Sequence, residues 1–384
     1  MTLKIARRAE VAPFMVMDVV RAANAREAAG GEVLHLEVGQ PGGGAPHGAR
    51  EAAAAAVREG PLGYTETPGL PALRRRIARD YAERHGVDLD PERIIVTTGS
   101  SGGFLLAFLA AFDAGDRVAL AAPGYPAYAN ILTALGLEPV WLPTGADTRF
   151  QPTPDMLDSV RGPLDGLILA SPSNPAGTMV DDGALAALAT ACAARGVRLI
   201  SDEIYHGIEF GQRAVTALRH SDSAIVVNSF SKYYGMTGWR VGWLAVPQAM
   251  VRPVERLAQN LFIAAPAVSQ HAALAAMDCR DELDAAVAAY ARSRAKLLDA
   301  LPRAGITDIA PADGAFYIYA NVGHLTTDSQ AFCTQMLHET GIAATPGVDF
   351  DPAYGHRYVR FSFAGREAEV AEAGARLVRW LGGR

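Results

Sequence analysis

The middle of the chain alternates short apolar segments with alanine-rich segments of helical character. Six segments between residues 94 and 246 have the length and composition of buried strands: Ile94–Thr98, Val118–Ala121, Leu167–Ala170, Val197–Ser201, Ala224–Asn228 and Val241–Val246. Near-continuous apolar strands separated by helices are typical of a parallel sheet with helices on both faces. The helix around Gly183–Arg195 is expected to end at Gly196 in a left-handed cap. The pattern therefore predicts a large α/β domain.

The two ends of the chain predict a second, smaller α+β domain. The predicted elements are a helix over Pro13–Ala29, an irregular segment over 39–48, a long helical stretch from Pro266 to about Leu301, strands over Phe316–Ala320 and Tyr358–Phe363, and helices near Asp328–Thr340 and Arg366–Leu381. The irregular segment holds five glycines and two prolines, which disfavour regular structure. We expect a large domain over 46–280, and a small α+β domain built from 1–45 and 281–384.

Composition indicates a folded globular protein and argues against several partners. The chain has 384 residues, of which 50% are hydrophobic and 20% charged, so it can bury a sizeable core. A net charge of −6 offers no basic excess for a nucleic acid. The longest strongly apolar run, Phe104 to Phe112, reaches about half of the roughly 18 residues that a membrane span needs. The first residues lack the apolar stretch of a secretory signal, so we expect neither a membrane partner nor secretion.

The three cysteines are widely separated. Cys192, Cys279 and Cys333 form no C-x-x-C pair, which argues against a disulfide framework or a structural zinc site. We therefore expect a cytoplasmic protein.

Polar residues follow four of the predicted strands. The first strand leads into Gly99-Ser100-Ser101-Gly102-Gly103 and an apolar helix, and hydroxyls with free amides at a helix start form a phosphate site. The strands over Leu167–Ala170, Val197–Ser201 and Ala224–Asn228 lead to Asn174, Asp202 and Lys232, respectively. Ligands of a doubly wound sheet bind beyond the carboxyl ends of its strands. A phosphate cradle, an amide, a carboxylate and an amine at one edge indicate a cofactor with several polar groups.

The motifs of other nucleotide or metal enzymes are missing from the sequence. Gly42, Gly43 and Gly44 are not followed by the third glycine of a dinucleotide fingerprint, because His47 stands there. The sequence contains neither a P-loop motif nor H-E-x-x-H, and its nine histidines are scattered. The missing motifs argue against a dehydrogenase, a P-loop enzyme and a metalloenzyme.

Five ordered motifs resemble those of a known enzyme family. They are Gly63-Tyr64-Thr65 with Pro68-Gly69-Leu70-Pro71-Ala72-Leu73-Arg74, Ser171-Pro172-Ser173-Asn174-Pro175-Ala176-Gly177-Thr178, Ser201-Asp202-Glu203-Ile204-Tyr205, Ser229-Phe230-Ser231-Lys232 followed by Met236-Thr237-Gly238-Trp239-Arg240-Val241-Gly242, and Val359-Arg360-Phe361-Ser362-Phe363. This set resembles the class I/II aminotransferases, the fold-type I pyridoxal-phosphate enzymes, and covers nearly the whole chain. The resemblance implies a mostly parallel sheet sandwiched by helices in a large cofactor-binding domain, plus the smaller α+β domain.

The resemblance assigns roles at the reacting end of the cofactor. It implies that Lys232 forms a Schiff base with pyridoxal 5'-phosphate and, once released, moves a proton at the substrate carbon. Asp202 would keep the ring nitrogen protonated, and Asn174 and Tyr205 would donate hydrogen bonds to the phenolic oxygen of the ring. It also implies a cis proline bond within residues 171–175, at Pro172 or Pro175.

The resemblance also assigns binding roles. Ser100, Ser101, Ser229 and Arg240 would hold the phosphate, with Ser231 as a further candidate, and Tyr125 would stack on the ring. Arg360 would bind the substrate α-carboxylate, which the backbone could approach at Gly39. Tyr64 would reach the phosphate of the neighbouring subunit. A homodimer with shared active sites is therefore implied.

The implied reaction is transfer of an amino group from an L-amino acid to a 2-oxo acid by a ping-pong mechanism. Gly42-Gly43-Gly44 replaces the acidic-aromatic pair that is common in relatives, and Ser101 stands where some aspartate-specific relatives carry lysine. A neutral or aromatic substrate is therefore at least as well supported as a dicarboxylate. Two alternatives stay open: a C–S β-lyase on the same scaffold, and a non-catalytic cofactor-binding regulator, although the chain has no spare basic domain for DNA.

Overall fold

The computed structural model describes residues 3–383. Its helices, in chain order, are α1 (Met15–Ala28), α2 (His47–Glu59), α3 (Pro71–His85), α4 (Gly99–Ala111), α5 (Pro126–Leu135), α6 (Pro154–Ser159), α7 (Asp182–Arg195), α8 (Val251–Leu261), α9 (Ala267–Ala276), α10 (Arg280–Arg303), α11 (Ser329–Thr340) and α12 (Glu367–Gly382). Its strands are β1 (Leu34–His35), β2 (Ile94–Thr97), β3 (Arg117–Ala122), β4 (Glu138–Pro143), β5 (Gly166–Ala170), β6 (Arg198–Asp202), β7 (Ile225–Ser229), β8 (Gly242–Ala245), β9 (Tyr317–Asn321), β10 (Ile342–Ala343), β11 (Thr345–Pro346) and β12 (Tyr358–Ser362).

The large sheet has the order β2-β8-β7-β6-β5-β3-β4, with seven strands within the described chain. Alternate residues of its central strands enter two separate cores. Leu167, Leu169 and Leu199 pack on one face, whereas Ile168 and Ile200 pack with α4, α5 and α8 on the other. A strand that is buried on both faces needs apolar residues at every position. The six predicted strands are confirmed, each within one or two residues at either end.

Two features of this sheet differ from the sequence prediction. Strand β8 runs antiparallel to both β2 and β7, because only residues 230–241 connect β7 to β8, and these hold a 3₁₀ turn instead of a crossover helix. Strand β4 was not predicted, because it contains Pro139 and Pro143, which remove ladder donors. Its place at the sheet edge, paired only with β3 among the described strands, allows these prolines.

The C-terminal part forms a small sheet with the order β11-β12-β9, in which neighbouring strands are antiparallel. The N-terminal segment joins this part, because β1 pairs with β10 in parallel and Leu36 continues the bonding to Ala343 and Ser362. Residues 34–39 thereby run from the small sheet towards the large one. The domain division at residues 45 and 280 remains our proposal.

Two predicted segments are corrected in detail. The helical stretch from Pro266 is interrupted at residues 277–279, between α9 and α10. There the Arg76 guanidinium donates to the carbonyl of Met277 (2.9 Å) and to the carboxylate of Asp278 (3.0 Å), which satisfies groups left open at a helix end. The irregular segment ends at residue 46, since α2 begins at His47. The left-handed cap at Gly196 is confirmed, with φ 69°.

None of the helices within residues 3–383 combines the length and apolar character needed to cross a membrane.

Candidate active site

A cavity of about 230 Å³ opens at the carboxyl ends of the central strands, between the large sheet and β12. Eleven of the candidate residues line its wall: Gly39, Ser100, Ser101, Tyr125, Asn174, Asp202, Tyr205, Ser231, Lys232, Arg240 and Arg360. Two candidates do not reach it. Ser229 is buried behind the wall, and Tyr64 is 85% exposed on a loop elsewhere. The cavity therefore collects side chains from segments that span most of the chain.

One end of the cavity has the chemistry of a phosphate site. The start of α4 brings the amides and hydroxyls of Ser100 and Ser101 to the wall, beside Ser231, Thr237 and Arg240. Arg240 is held by a hydrogen bond from Nη1 to the carbonyl of Thr237 (2.8 Å). These donors, together with the positive end of the α4 dipole, suit a dianion.

Ser231, and not Ser229, presents its side chain to this end. The single proton of the Ser229 hydroxyl is shared between Ser231 Oγ (2.9 Å) and the carbonyl of Val241 (3.1 Å), and Ser229 is not part of the cavity wall. It also accepts the Ser231 amide (3.0 Å). Ser229 therefore supports the Ser231 loop, and the direct phosphate contact expected for Ser229 stays a prediction.

Lys232 lies between charged groups at the centre of the cavity. Its Nζ donates to the carbonyl of Gly39 (2.6 Å). Burial, helped by the positive charges of Arg360 and Arg240 and opposed by the Asp202 carboxylate, lowers the pKa of Lys232 to about 8. Near neutral pH a useful fraction of this amine is therefore unprotonated, as a nucleophile or a base must be.

Asp202 ends β6 and is almost completely buried. Its Oδ1 accepts the Ile204 amide (3.1 Å), and its Oδ2 accepts the hydroxyl of Tyr128. Burial raises the pKa of Asp202 to about 6, although these two hydrogen bonds and the nearby Lys232 act in the opposite direction. Near pH 7 the group is mostly a carboxylate held in one orientation, as a partner for a protonated ring nitrogen requires.

Two tyrosines that sequence reasoning did not assign a role support this centre. Tyr128 orients Asp202 through a hydrogen bond from its hydroxyl. The one sequence signal for this role is that Tyr128 lies on α5, three residues after Tyr125. Tyr317 in β9 exchanges a hydrogen bond with the hydroxyl of Tyr205 (2.8 Å). An added Cβ at Gly39 would overlap the Tyr317 hydroxyl, so only glycine brings the backbone this close.

Arg360 is buried in β12 with its guanidinium between two aromatic rings. The guanidinium carbon lies 4.5 Å from the ring centre of Tyr317 and 4.7 Å from that of Phe350. Nη1 donates to Asn174 Oδ1 (2.9 Å), and Nη2 donates to the carbonyl of Glu37 and to Thr345 Oγ1 (3.1 Å). Its Nε has no hydrogen-bond partner within residues 3–383. A buried cation with an open donor suits a carboxylate ligand.

Asn174 lies in a loop with two cis proline bonds, Ser171–Pro172 and Asn174–Pro175. The sequence indicated a cis bond here without deciding between the two. Because Asn174 Oδ1 accepts from Arg360, its amide nitrogen is left to donate elsewhere.

The remaining wall is apolar and comes largely from the start of the chain. Phe14, Val16 and Met17 line the cavity from the first turn of α1, together with Val38 and Ile204. The Phe14 ring meets the Tyr125 ring edge to face, with centroids 5.8 Å apart. The sequence predicted the helix but contained no signal that its first turn faces the site.

These donors fit pyridoxal phosphate. The α4 start with Ser231 and Arg240 matches its phosphate, the ordered carboxylate of Asp202 matches a ring nitrogen, Tyr125 offers an aromatic face, and Lys232 offers an amine of lowered pKa. In contrast, residues 3–383 contain no group of three or more His, Cys, Asp or Glu side chains placed to hold a metal ion.

Comparison with known proteins points to one family. The profile described as aminotransferase class I and II matches residues 31–377. A valine–pyruvate aminotransferase of Mycobacterium tuberculosis is 52% identical over 385 residues, which cover 99% of each chain. An aspartate aminotransferase of Geobacillus stearothermophilus is 29% identical over 395 residues, again 99% of each chain.

Solved structures agree with these sequence matches. An aminotransferase from Mycobacterium tuberculosis superposes with a TM-score of 0.98 at 52% identity and covers 100% of both chains. The aspartate aminotransferase of Thermus thermophilus, solved with maleate, has a TM-score of 0.93 at 28% identity and covers 98% of this chain and 100% of its own. The expected α/β fold with a mostly parallel sheet is confirmed.

Proposed function

From the premise that this chain belongs to the class I and II aminotransferases, we propose that it is a pyridoxal-phosphate enzyme that moves an amino group from an L-amino acid to a 2-oxo acid. Aminotransferase activity itself is supported by the relatives' names and the extent of the match. The cofactor, its attachment to Lys232 as a Schiff base and the ping-pong order are the parts we propose. Transamination is preferred over β-elimination because the relatives described above are named aminotransferases.

The observation that carries this proposal is the arrangement around Lys232. One cavity holds an amine of lowered pKa, an ordered carboxylate and a buried arginine with an open donor, next to a phosphate cradle at the start of α4. A reaction that withdraws electrons through a ring and shuttles one proton needs each of these groups.

The chain's own residues then act as follows. When bound, pyridoxal phosphate would supply an aldehyde that links to amines and a ring that accepts electrons from the substrate carbon. Lys232 holds or donates a proton at Nζ, Asp202 keeps a positive charge paired at the ring nitrogen, and Asn174 and Tyr205 donate to an anionic oxygen. Ser100, Ser101, Ser231 and Arg240 would bind the phosphate, with Ser229 behind them, and Tyr125 would cover the ring.

We propose a small or medium aliphatic amino acid as the substrate. Arg360 would take the α-carboxylate, and Gly39 would allow the backbone close to it. The side chain would meet Phe14, Val16 and Met17, which present only apolar atoms of their side chains. The 52% identical relative is named for valine and pyruvate, which agrees with such a pocket.

We further propose a homodimer in the cytoplasm. Tyr64 lies outside its own cavity and is exposed, as a residue that serves a neighbouring subunit would be in a single chain. Next to it, a second copy would cover a groove between α2 and α9, half of whose lining residues are alanines and leucines and which also contains Glu59, His271 and Asp278. The location rests on the three cysteines, each of which is a free thiol.

Replacement of Lys232 tests this function directly. Lys232→Ala should lower transamination by about 10³ or more, because both the attachment point and the proton carrier are lost. The same variant should lack the visible absorbance change that the wild-type protein shows on addition of pyridoxal phosphate. Lys296→Ala removes a surface lysine on α10 and serves as the matched control. A Lys232→Ala enzyme with wild-type turnover would disprove the assignment.

A further inference from the structure

Asp349 connects the first turn of α1 to the segment that holds Arg360. Its Oδ1 accepts the Met15 amide (3.0 Å) and its Oδ2 accepts the Val16 amide (3.2 Å). The first amides of a helix have no partner within the helix, and Phe14 at the N-cap supplies no side-chain bond. The carboxylate of a residue more than 330 positions away therefore acts as the cap of α1.

The turn that Asp349 holds is the apolar wall of the active site. Phe14, Val16 and Met17 line the cavity, and Val16 is only 6% exposed. Phe14 also contacts the ring of Tyr125 in the same cavity wall. A shift of this turn would change the space between the wall and the cofactor site.

On its other side, Asp349 adjoins the residues around Arg360. The next residue, Phe350, packs its ring against the Arg360 guanidinium, and its carbonyl accepts the Gly124 amide (3.0 Å). Thr345, four residues earlier, accepts a hydrogen bond from Arg360 (3.1 Å). The segment 345–350 thus fixes Arg360, while Asp349 in the same segment fixes the apolar wall.

We propose that Asp349 is a positioning residue that determines which amino-acid side chains the enzyme accepts. This inference rests on the proposed function, in which Arg360 binds the α-carboxylate. With the carboxylate held there, the side chain extends to a wall whose distance from Arg360 is set through Asp349. A branched aliphatic side chain contacts the wall and depends on that distance, whereas the methyl group of alanine depends on it much less.

The test compares L-valine with L-alanine in the holoenzyme. Asp349→Ala should lower kcat/KM for valine about tenfold, mainly through KM, and for alanine about twofold at most. Asp349→Asn keeps an oxygen acceptor and should recover part of the valine activity. The control is Asp328→Ala, which removes a similar carboxylate cap, bonded to the amides of Gln330 and Ala331 (both 3.0 Å), from α11, whose residues do not line the cavity.

Amide hydrogen exchange gives a second readout that does not depend on catalysis. In Asp349→Ala the amides of Met15 and Val16 should exchange about tenfold faster, and in Asp328→Ala those of Gln330 and Ala331 should do so instead. Equal losses for valine and alanine in Asp349→Ala, or unchanged exchange at residues 15 and 16, would overturn the inference. A wild-type enzyme that transaminates other amino acids but neither of these two would instead overturn the proposed aliphatic substrate, and the inference with it.

Discussion

At the scale of single residues, the site shifts the pKa values of two ionisable groups away from their ordinary values. Burial disfavours charge on both Lys232 and Asp202, and the pKa of Lys232 falls to about 8 while that of Asp202 rises to about 6. Their mutual attraction offsets only part of this effect. The protein therefore accepts a stability cost near neutral pH in order to hold a reactive amine beside a carboxylate.

The stability of the cofactor-free protein should reveal this cost. The fold favours protonated Asp202, so the contribution of this group to the free energy of unfolding is lost as pH rises from its ordinary pKa of 3.8 through about 6. Asp202→Asn should then be more stable than the wild type at pH 8, by on the order of 1–3 kcal/mol, and should lose that advantage below pH 4. Urea unfolding of both apo-proteins across this pH range measures the difference.

Asp202→Asn should also lower turnover by about 10² or more, since a neutral amide pairs poorly with a protonated ring nitrogen. The exposed Asp222→Asn is the control, and it should leave the activity unchanged. An Asp202→Asn protein that is less stable than the wild type at pH 8 would show that hydrogen bonding from Tyr128 and Ile204 outweighs the cost of burial.

At the scale of elements, the start of helix α4 can form a ligand cradle because its first residue is Gly99. Gly99 has φ +70°, and an added Cβ would overlap the Arg240 guanidinium. We expect Gly99→Ala to raise the dissociation constant of pyridoxal phosphate about tenfold or more, since it displaces Arg240 and strains the turn. An absorbance titration of the apo-protein with the cofactor measures this change.

Gly196 provides a control with the same backbone strain. It has φ +69° at the end of α7, and an added Cβ would meet no atom within 4 Å. Gly196→Ala should therefore cost a similar amount of stability, about 1 kcal/mol, and leave cofactor affinity unchanged. Equal affinities in the two variants would mean that the clash with Arg240 has no effect on the phosphate site.

Elements with a strong local pattern could be predicted from the sequence, and those shaped by neighbours could not. The central strands were found because burial on two faces requires unbroken apolar runs. Strand β4 was missed because Pro139 and Pro143 are tolerated only at an edge, which is a property of the sheet. The break before α10 depends on Arg76, about 200 residues away, and left no local signal.

At the scale of the whole molecule, some residues of the candidate site could be predicted from local sequence motifs, and others could not. Residues in ordered motifs, such as Asn174, Asp202, Lys232 and Arg360, were identified as candidates, and the fold brings them to one cavity. The sequence did not identify Tyr128, Tyr317 or the first turn of α1 as parts of the site, because their positions depend on how distant segments pack. Ser229 and Ser231 are two residues apart in sequence, and only the structure distinguishes which of them lines the cavity.

Tyr64 allows a test of how many chains build one site. Its side chain is 85% exposed and lies outside the cavity of its own chain, so we expect it to complete the phosphate site of a second copy. Tyr64→Ala should bind pyridoxal phosphate about tenfold more weakly, and Lys232→Ala should be inactive. In a heterodimer of the two variants, one site combines an intact Lys232 with an intact Tyr64, and the other site lacks both.

Unfolding and refolding an equal mixture of Tyr64→Ala and Lys232→Ala chains should therefore restore about a quarter of the wild-type sites, measured as transamination at a limiting cofactor concentration. The gain arises because random pairing makes half of the dimers mixed and each mixed dimer has one complete site. If Tyr64 served its own chain, every site would carry one of the two defects and mixing would restore nothing. Each variant refolded alone gives the baseline, and recovery at that baseline would exclude a shared site.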